Sequence, residues 1–94
     1  MSDVQVTRND DAGRYEAHLD GQLAGFAEFR RGDGTIEFPH TVTEPEFGGR
    51  GVASALARTS LDDARAEGLS VIPSCSFYAG WISKHPDYQD LVAS

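Results

Sequence analysis

A chain of 94 residues has the length of one domain, 1–94, and its 39% hydrophobic and 24% charged fractions are those of an ordinary soluble globule. A formal net charge of -7 excludes a nucleic-acid binder built on a basic patch, and it favours cationic small molecules or amine-bearing partners through long-range steering. No apolar run approaches the ~18 residues of a membrane span, and no basic-then-apolar leader opens the chain, so a cytoplasmic protein without a membrane partner is the simplest expectation. A single cysteine excludes an intrachain disulfide and a cysteine-rich zinc site. His18 and His85 have no ligand spacing with acidic neighbours, so no metal is expected. A monomer or weak homodimer is expected.

In chain order, Val4 to Thr7 alternates apolar and polar residues as a short strand does. Asn9-Asp10-Asp11-Ala12-Gly13 is turn chemistry. Arg14 to Leu19 alternates again, with Tyr15, Ala17 and Leu19 on one face. Asp20-Gly21 predicts a tight hairpin turn. Gln22 to Arg30 follows, with Leu23, Ala27 and Phe29 on one face and Ala24 and Phe26 on the other, which predicts a central strand covered on both sides. After the turn Arg31–Gly34, the strand Thr35 to Val42 places Ile36, Phe38, His40 and Val42 on one face. Pro39 interrupts it, which predicts a bulge or an end to pairing that splays the strand from its neighbour.

At Arg50 the period becomes helical. Ala53, Leu56, Ala57, Leu61 and Ala64 form an apolar stripe that only Ser60 breaks, and Gly68 stops the helix after Glu67. Ser70 to Ser74 holds a short buried strand around Val71-Ile72. The spacing predicts a crossover that lays this strand parallel to the fourth. A shorter helix, Phe77 to Lys84 with Ser76 as N-cap, ends before Pro86, and a tail from Asp87 to Ser94 is anchored by Tyr88, Leu91 and Val92. The predicted class is α/β: an antiparallel four-strand meander, a long helix, a parallel fifth strand and a short C-terminal helix.

The stretch Glu46-Phe47-Gly48-Gly49-Arg50-Gly51-Val52-Ala53 joins the fourth strand to the long helix. Glycines let backbone amides approach a ligand closely, and a helix N-terminus adds free N–H groups and about half a positive charge. Together they make a seat for a phosphate or pyrophosphate. The run is neither a P-loop nor a dinucleotide fingerprint, and a turn that merely joins strand to helix is the competing reading. Cys75 falls at the same carboxyl edge of the sheet, before a helix whose N-terminus would lower its pKa; the alternative is a small buried apolar residue. His40 is a base or ligand-orienting group, or else a strand histidine held by packing. Tyr78 is a proton donor or core. Phe77 and Trp81 are packing and a possible pocket wall. Lys84-His85 is a cationic clamp or a charge pair that complements the helix dipole.

Strand, glycine loop, amphipathic helix, short strand and short helix, together with His40-Thr41, Gly48 to Ala53, Cys75-Ser76 and Lys84-His85-Pro86, resemble the small single-domain GNAT-like acetyltransferases (GCN5-related) along most of the chain. The resemblance implies an N-acetyltransferase that binds acetyl-CoA (CoA) and serves an amine acceptor, a protein lysine or a small amine. It implicates Thr41, Val42, Phe47, Gly48, Gly49, Arg50, Gly51, Val52, Ala53, Ser54, Ser76, Lys84 and His85 in the cofactor site, with Cys75 and His40 as catalytic residues. Pyrophosphate would rest on the amides of Gly48 to Ala53, and pantetheine would lie between the splayed fourth and fifth strands. Gly48 stands where the family's loop has Gln or Arg, and the chain is too short for the helices and strands with which larger relatives hold an acceptor. Direct transfer to the amine and transfer through an acetyl-cysteine at Cys75 both remain open. So does a non-catalytic CoA-binding or interaction module, and so does a domain without a ligand. Valine at Gly51 is expected to cost cofactor affinity while leaving the fold.

Overall fold

The computed structural model describes residues 4–93; Ser94, where the expected tail ends, lies outside the described residues. Turn residues set the meander. Asp20 and Gly21 both adopt positive φ, 54° and 79°, the mirror-image turn whose twist matches a hairpin. They join β2 (Arg14–Leu19) to β3 (Gln22–Arg31), while β1 (Gln5–Asn9) pairs antiparallel with β2. The first strand starts and ends later than its apolar alternation indicates, because the ladder runs on to Asn9 opposite Arg14. Next come β4 (Thr35–Thr43), α1 (Val52–Glu67) and β5 (Ser70–Ile72), which pairs parallel with β4. The sheet order is β1-β2-β3-β4-β5. The fifth strand stops at Ile72 rather than Ser74, since Pro73 has no N–H to donate and Ser74 N turns back to Ile72 O at 3.0 Å. Gly68, φ 71°, ends α1 with its amide and that of Leu69 turned back on the last helical carbonyls.

α2 spans Ser76–Ser83, so Cys75, not Ser76, occupies the N-cap position, and no side chain caps the helix. A 3-10 segment, Pro86–Leu91, buries Tyr88 and Leu91. Val92 then bridges Val71, and Ala93 N donates to Val71 O at 2.9 Å, a partial sixth strand that hydrophobic spacing does not announce.

The helices lie together on one face of the sheet. α1 packs on the strands, α2 reaches Phe38 and Ser60 through Tyr78, and the 3-10 segment reaches Asp62 of α1 through Tyr88. The expected two-sided cover of β3 is corrected by a bulge at Ala24. Leu23 pairs with His18 and Gly25 with Ala17, so one extra residue resets the alternation. Ala24, Ala27 and Phe29 face the core, whereas Leu23 is 38% exposed. The other face carries Phe26, half-buried beneath the Arg14 guanidinium 4.5 Å from its centroid and beside the His40 ring.

Ser60, the break in the apolar stripe, is fully buried and satisfied. Its Oγ lies 2.7 Å from Leu56 O, which can only accept, so the Tyr78 hydroxyl donates to Ser60 Oγ at 2.8 Å. Tyr78 stacks on Phe38 with centroids 4.4 Å apart, and burial holds its phenol far above the ordinary range. Tyr78 is therefore core, not a proton donor. Ser60→Ala orphans the phenol and is expected to cost about 1–3 kcal/mol, at roughly 4–8 °C of Tm per kcal/mol. The double variant with Tyr78→Phe should recover most of that loss in thermal melts, because neither hydroxyl is then left unpartnered.

Candidate functional site

Between β4 and α1 the chain makes a 3-10 turn over Pro45–Phe47, pinned by Phe47, which is buried. Gly48 N donates to Pro45 O at 3.1 Å and Arg50 N to Phe47 O at 3.3 Å, so these two amides are already committed. The amides of Gly49, Gly51, Val52, Ala53 and Ser54 have no acceptor among the described residues. Gly49 and Gly51 both sit at φ 77°, and open space surrounds the place where each would carry a Cβ. Gly51 is the N-cap of α1 with no side-chain cap, which is why the helix begins at Val52 rather than Arg50. The result is a bare row of donors at the positive end of a 16-residue helix, the chemistry that an anion would need. It is narrower than the Gly48-to-Ala53 row expected, since Gly48 spends its amide on the turn. Val52 is buried and supports the row from below, while the Arg50 side chain is exposed beside it.

The second component is a gap in the sheet. β4 and β5 pair only from Thr35 opposite Ser70 to Glu37 opposite Ile72, with one last bond from Cys75 N to Phe38 O at 2.9 Å. Beyond Phe38 the β5 side of β4 has no strand partner among the described residues. At the same point β4 holds one residue more than β3: Arg30 pairs with Glu37, and Glu28 already pairs with His40. This bulge at Phe38-Pro39 reverses the alternation, because Pro39 cannot donate to the ladder. Thr41 lies opposite buried Ala27 and faces the helices, whereas His40 and Val42 lie opposite Glu28 and Phe26 on the far face. The expected common face of Ile36, Phe38, His40 and Val42 is thereby split in two. The His40 ring, 6.4 Å from that of Phe26, is not brought to the thiol.

Cys75 is brought to Thr41: its Sγ donates to Thr41 Oγ1 at 3.5 Å. Partial burial pushes the thiol pKa up, but the Thr41 hydroxyl and the Tyr78 and Phe77 amides at the start of α2 outweigh it. The net pKa lies below the ordinary thiol value, so thiolate is present at lower pH than in a free cysteine.

The third component is a cleft of about 400 Å³ between the first turn of α1, at Ser54, and one side of α2. Ser76, Gly80 and Lys84, with Phe77, Trp81 and His85, line it as two rows at i, i+4 spacing. Sequence reasoning passes over Gly80, yet the same spacing identifies it. His85 stacks on Trp81 with centroids 3.6 Å apart, and its Nδ1 lies 2.6 Å from Trp81 O. A carbonyl only accepts, so Nδ1 carries the proton. The Arg58 guanidinium of α1 sits over Trp81 and Tyr88, 5.4 and 5.8 Å from their centroids. The structure thus gathers Ser54, Ser76, Lys84 and His85 around one cleft, and pairs Thr41 with Cys75 at the start of α2. His40 and Val42 lie on the opposite face, and Phe47 and Val52 are buried supports. Among the described residues no group of three or more His, Cys, Asp or Glu is placed to hold a metal, and no helix is long and apolar enough to cross a membrane.

Residues 14–91 match the family model described as GCN5-related N-acetyl-transferase. The chain belongs to that family. A GCN5-like candidate N-acetyltransferase from Staphylococcus aureus, known from an NMR solution structure, is similar over 100% of this chain and 92% of its own, at 26% identity and a TM-score of 0.74. No curated protein matches the chain. The end of the β4–β5 ladder and the free amides lie at the carboxyl edge of the sheet, where open α/β sheets take ligands, and Ser54 belongs both to the row of free amides and to the cleft wall. The residues present fit a thioester cofactor carrying a diphosphate: Cβ-free positions at Gly49 and Gly51 for the phosphates, and on the cleft wall Lys84, a cation that a chain of net charge -7 must supply locally, with His85 beside it.

Proposed function

We propose that this protein is an N-acetyltransferase that binds acetyl-CoA and passes the acetyl group through Cys75 to an exposed amine, on a protein lysine or a small molecule. The observation that carries this reading is the position of the thiol, at the N-cap of α2 where the β4–β5 ladder ends, with its pKa lowered. Acetyl-CoA supplies an activated acetyl group. The free amides from Gly49 to Ser54 hold its diphosphate, and Ser76, Lys84 and His85 flank the cleft alongside. The Cys75 thiolate attacks the thioester carbonyl and CoA leaves as its thiolate; a neutral amine then attacks the acetyl-cysteine, giving its proton to water and releasing the Cys75 thiolate. Because His40 faces away from the thiol, no base role is assigned to it.

Intact-mass spectrometry after incubation with acetyl-CoA tests the reading. Wild type should gain one acetyl group and Cys75→Ala none, with calorimetric CoA affinity little changed by the substitution. An adduct that survives Cys75→Ala, or wild type that binds CoA yet never acquires an adduct, removes the covalent route. A second reading, a CoA-binding module without transfer, is favoured by Gly48, which contributes neither a side chain nor a free amide to the phosphates. Failure to acetylate any amine in a broad acceptor panel, with CoA binding intact, would select it.

A further inference from the structure

The Cys75 sulfur has one side-chain partner among the described residues, and β4 departs from regular pairing just before that partner. With unbroken alternation the face that carries Phe38 would next carry His40, and Thr41 would point the other way. The extra residue at Phe38-Pro39 exchanges them, bringing the Thr41 hydroxyl to 3.5 Å from Cys75 Sγ. That separation is ordinary for a sulfur hydrogen bond. We propose that Thr41 is a positioning residue, whose hydroxyl aims the Cys75 sulfur and stabilises its thiolate. The proposal rests on the acetyl-cysteine reading above and gives Thr41 a role toward the protein's own nucleophile rather than toward the cofactor.

Two features support it. As a thiol the sulfur donates to Thr41 Oγ1; as a thiolate it accepts from the same hydroxyl, which can rotate to serve either state. The thiolate also has the Phe77 and Tyr78 amides of α2 and the Thr41 amide of β4, so the Thr41 hydroxyl is its side-chain contact from across the gap. The largest influences on the thiol's pKa are burial and hydrogen bonds rather than a neighbouring charge, and the titratable group that interacts with it is Tyr78, whose buried phenol stays protonated. The hydroxyl is thus the side-chain component that a substitution can remove without altering nearby charge.

The test is the pH dependence of Cys75 alkylation by iodoacetamide in the free full-length protein, for wild type, Thr41→Val and Thr41→Ser. Valine keeps the branched shape and loses the hydroxyl; serine keeps the hydroxyl. The midpoint should move upward in Thr41→Val, slowing alkylation near pH 7 by about three- to tenfold, since one pKa unit is tenfold in thiolate fraction. Thr41→Ser should titrate close to wild type. A midpoint in Thr41→Val equal to that of wild type overturns the proposal, whatever happens to Tm. If Thr41→Val does not fold, Thr41→Ala is compared with Thr41→Ser by the same criterion. Acetyl adduct formation, read separately by mass, distinguishes the failures. A moved midpoint without any adduct in wild type sinks the acetyl-cysteine reading alone. An unmoved midpoint with a normal adduct sinks Thr41 alone.

Discussion

Gly51→Val is expected to lower CoA affinity at least tenfold, and to lower Tm as well. Gly51 caps α1 at φ 77°, a left-handed conformation that costs an ordinary L-residue about 1–2 kcal/mol and is worse for a β-branched one. No atom lies within 4 Å of the missing Cβ, so the penalty comes from the backbone and not from a clash. The simple expectation of lost binding with an intact fold therefore needs correction: valine strains the cap even in the empty protein. Relief requires rotating the peptides on either side, which swings the Gly51 and Val52 amides away from a bound diphosphate. Losing one such charge-assisted pair is worth about 1.5–3 kcal/mol, and 1.4 kcal/mol is tenfold in affinity. Gly51→Asn separates the two effects, because asparagine tolerates positive φ while still adding a Cβ. Calorimetry with CoA and a thermal melt on each variant decide the matter. Wild-type affinity in a folded Gly51→Val protein would remove the diphosphate from the front of α1.

Gly25→Ala is expected to be the most destabilising single-methyl change in the sheet. A Cβ on Gly25 would lie 2.5 Å from Val42 O, 3.0 Å from Val52 Cγ1 and 3.3 Å from Thr43 Cα. The nearest of these is backbone, which cannot swing aside as the tip of a side chain can. Overpacking of this kind costs about 1–3 kcal/mol, and at roughly 4–8 °C per kcal/mol the melt should fall by around 10 °C. The site is affected too, since Val52 is the first residue of α1 and its displacement carries the free amides with it. CoA affinity should fall several-fold in parallel with Tm. A melt within about 2 °C of wild type would show that β3 and α1 separate without penalty, contrary to the close packing described.

Most of the architecture is legible in the residues. The meander follows from Asp20-Gly21 and the other turn clusters, the crossover from a change of period at the glycine loop, and the parallel strand from the brevity of Val71-Ile72 between two helices. The bulges are not legible in detail. Alternation has a period of two, so one extra residue at Ala24 or at Phe38-Pro39 moves every later side chain to the other face. Pro39 announces a disturbance without revealing its direction, which is why His40 reads as an edge residue near the thiol when Thr41 takes that place. The Ser60–Tyr78 bond escapes notice for another reason. It joins a polar break in one helix to an aromatic in the next, and only packing brings the two hydroxyls together. Within the glycine loop, residue types predict an anion seat, but which amides are free depends on the 3-10 turn before it.

The strand-like bridge at Val92 bears on how these molecules behave at high concentration. Sheets grow end to end when an outer rim offers a ladder of unsatisfied amides and carbonyls to a neighbouring chain. Here the C-terminal segment lies along β5, with Ala93 joined to Val71, and blunts one rim from within. The opposite rim, β1, carries Arg8 in an ion pair with Asp10, a charged border of the kind that discourages pairing with a stranger. Each rim of the sheet thus carries a feature that works against end-to-end growth.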